Sequence, residues 1–195
     1  MDLIVIAGMP ATGKTTIANQ IREKFGYPVF EKDYIKEAIF DIIGFECYAE
    51  KRRDDKAATE ILLRITESQL AAGASLIVVN NFDTEENEKL NSLVEFYKPN
   101  CITLFVDGNE EVLYNRYVER DRQHLRHIGH VVQEHYPLHE GDSPDYTMTP
   151  EEFNLKFVQR GMKHFHIPGA RLDIDATDFT TIDINKIISF IRENI

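Results

Sequence analysis

The segment LIVIAGMPATGKTT, residues 3–16, decides the fold class of this chain. It begins with an apolar run and continues through a loop that satisfies the pattern G-x-x-x-x-G-K-[ST] from Gly8 to Thr15. A helical pattern follows at 14–25. A buried strand, a glycine-containing turn and a helix N-terminus in this order direct backbone N–H groups toward phosphate oxygens. We therefore expect a nucleoside triphosphate at this loop; the alternative is a strand-to-helix turn that fits the pattern by chance.

The loop offers the groups that a triphosphate and its metal ion require. We expect Lys14 to reach the β- and γ-phosphates and to take part in catalysis, and the Thr15 hydroxyl to ligate Mg²⁺. ATP and Mg²⁺ are accordingly the expected cofactors. The nucleotide-binding residues predicted from the loop are Gly8, Pro10, Ala11, Thr12, Gly13, Lys14, Thr15 and Thr16.

Length and composition indicate one domain spanning residues 1–195. The chain is 43% hydrophobic and 28% charged, which is typical of a globular protein, and no linker or internal repeat divides it. Its net charge of −11 disfavours a broad electrostatic surface for nucleic acid. A small-molecule partner is therefore favoured over nucleic acid.

The sequence carries no membrane or targeting signal. No apolar run reaches the roughly 18 residues that a membrane span requires, and the first residues lack the basic region of a signal peptide. Cys47 and Cys101 lie far apart without the spacing of a metal or redox pair, so we expect reduced thiols. These features favour a cytoplasmic protein, and they leave its oligomeric state open.

Short β-rich runs alternate with helical patterns along the chain. This alternation predicts a three-layer α/β fold, and the continuous apolar runs indicate strands buried on both faces of a parallel sheet. The predicted strands are residues 3–8, 28–33, 75–81, 101–107 and 171–176. The predicted helices are residues 14–25, 34–43, 49–72, 85–97, 110–117 and 185–193.

Residues 119–149 interrupt the alternation. This segment carries no convincing strand, and long irregular segments inside a compact domain commonly serve as substrate lids. We expect a lid here. A new helix is predicted directly after it, because Thr149 can cap, Pro150 suits the first helical position and Glu152 completes a capping box.

The second predicted strand leads into the motif Asp33-Tyr34-Ile35-Lys36. This D-x-hydrophobic-[RK] element resembles small P-loop kinases of the polynucleotide kinase and zeta-toxin type, which belong to the AAA-type ATP-binding proteins. The resemblance implies that Asp33 takes the proton of the acceptor hydroxyl and that Lys36 contacts the acceptor. Alternatively, Asp33 caps the following helix; both roles can hold together.

The sequence VDGNEEVLYNRYVERDRQHLR, residues 106–126, resembles the lid entry of adenylate kinase-like and shikimate kinase-like enzymes. The resemblance implies that Arg116 packs on the adenine and that Arg120 and Arg122 clamp phosphates, with Arg120 stabilising the transferred group. Guanidinium groups suit both tasks because they stack and bind phosphate bidentately. The alternative is a solvated helix face paired with Glu119 and Asp121.

The resemblance extends to the remaining elements. It implies a P-loop NTPase fold with a parallel five-stranded sheet in the order 2-3-1-4-5, a lid, and a loop at 176–178 that flanks the adenine. One departure concerns the third strand, where Asn80 and Asn81 replace the carboxylate that many relatives carry. We expect these amides to bind the acceptor or a magnesium-bound water.

Two further groups of residues are candidates for binding. His124, His127 and His130 are spaced by three in the lid, as in some metal sites, although histidines facing phosphate explain the spacing as well. The basic run 51–53 begins the long third helix on the acceptor side. It either contacts acceptor phosphates or is a solvated helix end.

These features favour an ATP-dependent kinase that transfers the γ-phosphoryl group to a hydroxyl of a small-molecule or nucleoside-type acceptor. Two alternatives remain open at the level of sequence. One is a polynucleotide 5′-hydroxyl kinase, which needs only a short basic channel. The other is an ATP-binding module or ATPase with little transfer activity, which the missing third-strand carboxylate would suit.

Overall fold

A computed structural model describes residues 1–144 and 147–195 of the chain. Its centre is a parallel five-stranded sheet in the order β2-β3-β1-β4-β5, which confirms the predicted three-layer fold and strand order. The strands are β1 (Asp2–Gly8), β2 (Val29–Glu31), β3 (Leu76–Val79), β4 (Asn100–Asp107) and β5 (Ala170–Asp175).

Helices cover both faces of the sheet. They are α1 (Lys14–Phe25), α2 (Lys32–Ile43), α3 (Tyr48–Ala71), α4 (Thr84–Tyr97), α5 (Glu110–Arg122), α6 (Ile128–Val131), α7 (Pro150–Phe153) and α8 (Ile184–Asn194). A π-helical turn, Asn154–Val158, extends α7, and 3-10 turns lie at Met162–His164 and Phe179–Thr181. Within the two described ranges, no helix has the length and apolar character needed to cross a membrane.

The apolar strands form two cores because successive side chains of a strand point to opposite faces. Leu3 and Val5 of β1 pack on one face with buried side chains of α3 and α4. Ile4 and Ile6 pack on the other face with buried side chains of α1 and α8. The centre of the sheet is therefore covered on both sides, as the continuous apolar run of β1 predicted.

Two predicted boundaries are wrong, and both affect the site. Strand β2 ends at Glu31 and α2 begins at Lys32, so Asp33 lies in the first turn of a helix and not at the end of a strand. Glu31, not Asp33, occupies the N-cap position of this helix. Helix α5 continues to Arg122, so residues 119–122 of the predicted lid belong to a regular helix.

Residues 128–138 of the predicted lid pack against the C-terminal part of α2. Phe45 pairs with Tyr136 through a β-bridge, and Phe40, Phe45 and Val132 form a small buried cluster. The segment ends at the predicted capping box, in which Thr149 and Glu152 bond each other's backbone N–H groups. Residues 145 and 146 of the predicted lid lie outside the described residues.

Gly8 joins β1 to the following loop at a position that accepts no side chain. Its φ is +124°, and an added Cβ would lie 2.0 Å from the carbonyl oxygen of Val106 on β4. Gly26 also has a positive φ, of +71°, but an added Cβ would meet nothing within 4 Å.

We predict that Gly8→Ala lowers the free energy of unfolding by at least about 3 kcal/mol, because strain of the backbone adds to a clash with a central strand. Gly26→Ala, the matched control, meets only the backbone strain and loses about 1 kcal/mol. Chemical denaturation of both variants measures the difference. Equal losses would show that the approach of Gly8 to Val106 contributes nothing to stability.

Candidate active site

The loop between β1 and α1 is shaped to receive an anion. Gly13 precedes α1 with a φ of +79°, the first turn of α1 contains no acidic residue, and no side chain caps it. The unpaired N–H groups and the positive end of the helix dipole are therefore left for a ligand. This arrangement fits the phosphates of the predicted nucleotide.

Lys14 lies back against this loop. Its ammonium donates hydrogen bonds to the carbonyl oxygens of Gly8 at 3.2 Å and Met9 at 2.6 Å. Burial, reinforced by Arg120, lowers the pKa of Lys14 to about 8, although Asp33 and Glu31 oppose the shift. The same lysine is thus within electrostatic reach of the groups that the resemblance placed around the transferred phosphate.

Glu31 is a site residue that the sequence reasoning missed. The Thr15 hydroxyl donates a short hydrogen bond to Glu31 Oε1, at 2.5 Å. Burial raises the pKa of Glu31, and the hydrogen bond from Thr15 opposes that shift. Hydroxyl and carboxylate oxygens are the ligands that Mg²⁺ prefers, so this pair fits the predicted metal. Its place at the carboxyl end of β2, the edge where parallel sheets bind ligands, was the signal available in the sequence.

Asp33 faces the same cleft from the first turn of α2. Its side chain is 54% exposed, and one carboxylate oxygen lies 3.2 Å from the Lys36 ammonium. Burial raises the pKa of Asp33, but the charges of Lys36, Arg126 and Lys32 outweigh this effect and hold the pKa well below its ordinary value. The carboxylate is therefore ionised at neutral pH and can accept a hydrogen bond or a proton from a hydroxyl group.

A braced network of charges forms the floor of the cleft. Lys32 lies between Glu86 at 2.9 Å and Asp55 at 3.3 Å, and Lys36 lies 3.1 Å from Asp55. Burial raises the pKa of Glu86, but Lys32 and hydrogen bonds outweigh it, so that the pKa of Glu86 is lowered. Paired in this way, buried charges avoid most of the penalty of leaving water.

Asn80 and Asn81 both line the cleft. The Asn80 side chain is already engaged: its amide donates to Glu86 at 3.0 Å, and its oxygen accepts from the backbone N–H of Asn81 at 2.8 Å. Asn80 therefore braces the network. The role of both residues in acceptor binding stays a prediction.

Arg116 ties α5 to the loop after β5. Its guanidinium donates to the carbonyl oxygens of Ala176 and Thr177 and lies 3.9 Å from the ring centre of Phe179. Phe179 also lies against Gly13, since an added Cβ there would be 3.4 Å from its ring. Arg116 thus lies beside the predicted adenine loop, joined to both its backbone and the phenyl ring.

Arg120 and Arg126 share the ring of Tyr117. Their guanidinium carbons lie 5.4 Å and 5.2 Å from its centre, and Arg126 pairs with Asp121 at 3.3 Å. Arg120 lines the cleft, and its buried Nε has no hydrogen-bond partner among the described residues. A guanidinium held in this way has donors to spare for a phosphate.

Arg122 is not brought into the cleft. Its side chain is 65% exposed and its nearest charged partner is Glu119, at 3.4 Å. Arg126, in the turn that follows α5, contributes the second guanidinium of the cleft. The helical rotation explains the difference, because residues 116 and 120 share a face and residue 122 points away from it.

The three histidines predicted as a metal site, His124, His127 and His130, do not form one. His130 lies 3.0 Å from Glu37, and His127 lies 2.9 Å from Asp41. Among the described residues, the only histidine cluster with metal-like geometry is His135, His139 and Asp142, whose ligand atoms all lie within 4.8 Å of one another. The spacing of three that suggested a metal site instead directs two histidines to carboxylates of α2.

Comparison with known families places the chain. Residues 3–135 match the AAA domain family, and this segment contains the phosphate-binding loop, Asp33 and the arginines of α5. The chain belongs to this family. No curated protein matches it by sequence at a significant level.

Solved structures share the fold of this AAA-family protein. A candidate kinase from Chloroflexus aurantiacus J-10-fl is 28% identical, with a TM-score of 0.77 over 100% of this chain and 98% of that chain. A sugar kinase from Janibacter sp. HTCC2649 is 15% identical, with a TM-score of 0.57 over 100% and 94% of the two chains. A gluconokinase from Sinorhizobium meliloti 1021 is 14% identical, with a TM-score of 0.54 over 99% and 93%. The fold is that of P-loop kinases, as the sequence predicted.

We predict that Arg116→Ala loosens the loop that follows β5. Hydrogen bonds from a charged donor contribute about 1.5–3 kcal/mol, so amide hydrogen exchange at residues 176–181 should rise by at least about tenfold. Arg122→Ala removes the same charge from the same helix without touching this loop and should leave exchange unchanged. Similar exchange in both variants would mean that the loop is held by other contacts.

Proposed function

We propose that this protein is an ATP-dependent kinase that phosphorylates a hydroxyl group of a small molecule. The observation that carries the proposal is the convergence of three unlike groups on one cleft. Lys14 at the phosphate-binding loop, the ionised Asp33 and the partly unpartnered Arg120 all line it. These are the groups that bind phosphate, activate a hydroxyl and stabilise the charge of a transferred phosphoryl group.

The nucleotide side of the reaction falls to the loop and its surroundings. The loop amides and Lys14 would bind the β- and γ-phosphates, and the adenine would lie beside Arg116 and the loop at 176–178. Thr15 and Glu31 would hold Mg²⁺, which neutralises phosphate charge when it is bound. This assignment supplies a carboxylate for the metal from β2 where the end of β3 has none.

The acceptor side of the reaction depends on Asp33. Its carboxylate would orient the acceptor hydroxyl and take its proton while the oxygen bonds to the γ-phosphorus. The bond from the γ-phosphorus to the bridging oxygen then breaks, and ADP leaves. Lys36, paired with both Asp33 and Asp55, would fix the direction of the carboxylate. Arg120 would spread the charge on the phosphoryl oxygens during transfer.

The convergence also favours a kinase over a nucleotide-dependent switch or a plain ATPase. A switch needs no carboxylate beside the transferred phosphate, whereas an acceptor hydroxyl does. The candidate kinase from Chloroflexus aurantiacus, 28% identical over nearly its whole length, supports the same class of reaction.

The first test is transfer of label from γ-labelled ATP with Mg²⁺ to pooled nucleosides, sugars, sugar acids, sugar phosphates, aminoglycosides and 5′-hydroxyl oligonucleotides. We expect label in one small-molecule pool. Asp33→Asn should lower kcat by about 10²–10⁴-fold through loss of general base catalysis. The Kd for ATP, measured separately, should stay unchanged. Label in the oligonucleotides would identify a polynucleotide kinase, and free phosphate alone would identify an ATPase.

We predict that Arg120→Ala lowers kcat by at least about 100-fold, because one preorganised donor to the developing charge is lost. Arg122→Ala removes an equal charge two residues away and should retain wild-type kcat, since its side chain lies outside the cleft. Steady-state kinetics with saturating ATP compare the two variants. A loss of the same size in both would point to the net charge of α5 and not to a contact with phosphate.

We predict that Glu31→Gln raises the Mg²⁺ concentration for half-maximal activity by about 10-fold or more, as expected when an oxygen ligand or its partner loses its charge. The control is Glu23→Gln on the exposed face of α1, which should leave the Mg²⁺ dependence as it is. Titration of activity with Mg²⁺ at fixed total ATP measures the shift. An unchanged titration would exclude Glu31 from the metal site.

A further inference from the structure

The cations of the cleft divide into two groups according to their partners. Lys32, Lys36, Arg126 and Arg160 each pair closely with a carboxylate of the protein. Apart from Lys14 and Arg120, three others have no carboxylate of their own among the described residues. They are Lys51, Arg52 and Lys156.

Lys51 is the most deeply placed of these three. Sequence reasoning put it at a helix start open to solvent or at an acceptor contact, and the structure buries it to 8% exposure. Its ammonium donates to the carbonyl oxygens of His130, at 3.0 Å, and Val132. None of the described carboxylates forms an ion pair with it. Protonation of this amine adds a third donor, which is then available for a further partner.

Arg52 and Lys156 complete the group from two different elements. Arg52 lies 3.6 Å from Asp55, whose carboxylate is already shared with Lys32 and Lys36. Lys156, on the π-helical turn, lies 5.4 Å from the ring centre of Phe157 and pairs with no described carboxylate. Both residues also line an open surface pocket of about 500 Å³, which adjoins the cleft and contains no residue of the phosphate-binding loop.

We propose that the phosphoryl acceptor carries an anionic group, a carboxylate or a phosphate ester, which binds between Lys51, Arg52 and Lys156. This inference rests on the proposed kinase function and narrows its substrate class to small hydroxylated anions. The three residues form the anion subsite, at the acceptor end of the cleft.

The missing counter-charge is the physical reason for this assignment. Buried cations are unfavourable unless paired. Here Asp55 is shared with Lys32 and Lys36, and Asp121 is paired with Arg126. The pKa of Lys51 is lowered to about 6, first by burial and then by Lys156, Lys36 and Arg126. A bound anion would supply the missing negative charge. Although the protein as a whole carries a net charge of −11, these nearby cations would attract the anion locally.

The position of the subsite assigns it to the acceptor and not to the nucleotide. The proposed function puts the nucleotide phosphates at the loop around Lys14, whose main electrostatic neighbours include Asp33 but not Lys51, Arg52 or Lys156. From Asp33 the chain of contacts runs through Lys36 to Asp55 and on to Arg52. A molecule whose hydroxyl meets Asp33 can therefore extend its charged end toward Arg52, Lys51 and Lys156.

The test uses sulfate as a probe that does not depend on the acceptor's skeleton. Calorimetric titration is done on the full chain loaded with Mg²⁺ and a non-hydrolysable ATP analogue, at constant ionic strength, so that the phosphate-binding loop is occupied. We expect saturable binding that weakens about tenfold in Arg52→Gln or Lys156→Gln, the effect of one charge-assisted hydrogen bond. Lys56→Gln, an exposed lysine of the same helix, should bind sulfate normally. No saturable binding, or equal binding in all variants, would overturn the subsite.

Proton uptake on anion binding tests whether Lys51 contributes to the anion subsite. The charged and titratable groups around it come from α2, α5 and the turn after it, α6 and the π-helical turn: Lys36, Asp121, Arg126, His130 and Lys156. Anion binding should raise the pKa of Lys51 and take up close to one proton at pH 7. Calorimetry in two buffers of different ionisation enthalpy measures this uptake. Binding without uptake would remove Lys51 from the subsite.

Pairs of acceptors that differ only in an anionic group test whether the subsite contributes to phosphoryl transfer. They also show whether it prefers a carboxylate or a phosphate ester. Gluconate against sorbitol tests a carboxylate, and glucose 6-phosphate against glucose tests a phosphate ester. We expect kcat/KM to be higher for the anionic acceptor of a pair than for the neutral one. In Lys156→Gln this advantage should shrink because the KM for the anionic acceptor rises. Transfer that favours the neutral members, unaffected by Lys156→Gln, would overturn the anion subsite and leave the kinase intact. Transfer to none of the acceptor pools, with sulfate still bound, would overturn the kinase and leave the subsite.

Discussion

The close approach of Gly8 to Val106 is the constraint on which the site depends. It brings the end of β1 within contact of β4, so that the chain must turn at once into the loop and then into α1. This turn sets the N-terminus of α1 at the carboxyl edge of the sheet, with no acidic side chain in its first turn. Lys14, Glu31 and Asp33 then converge on the same edge because parallel strands deliver their following residues there.

The cleft is basic inside a strongly acidic protein, and its charges are graded. Near Asp33, the cations are balanced by carboxylates, which holds Lys36 and Asp33 ionised in fixed directions. Around Lys51, the described carboxylates do not balance the positive charges. Such an arrangement suits a reaction between two negatively charged molecules, because each is attracted to its own part of the cleft and like charges are kept apart by fixed cations.

Sequence reasoning gave the elements and the central residues of the site more readily than its edges. Period and motif located the phosphate-binding loop, because strand, turn and helix signals act over a few residues. Asp33 was named through the resemblance to small P-loop kinases. The same reasoning chose Arg122 over Arg126, since it did not foresee that α5 would run to residue 122 and that the chain would then fold back on Tyr117. Glu31 was missed because the hydrogen bond that makes it a candidate metal ligand comes from Thr15, which lies 16 residues earlier in the chain.

The sequence by itself determined the three-layer fold, the strand order through its resemblance to known kinases, and the loop that faces the nucleotide. These follow from local periodicity and a contiguous motif. Only the tertiary structure decided which charges are paired. Lys51 and Arg52 are neighbours of Asp54 and Asp55 in the sequence, yet Asp55 is taken by Lys32 and Lys36 from another helix. Charge balance is set by contacts between distant segments, and it therefore becomes visible only when the chain is folded.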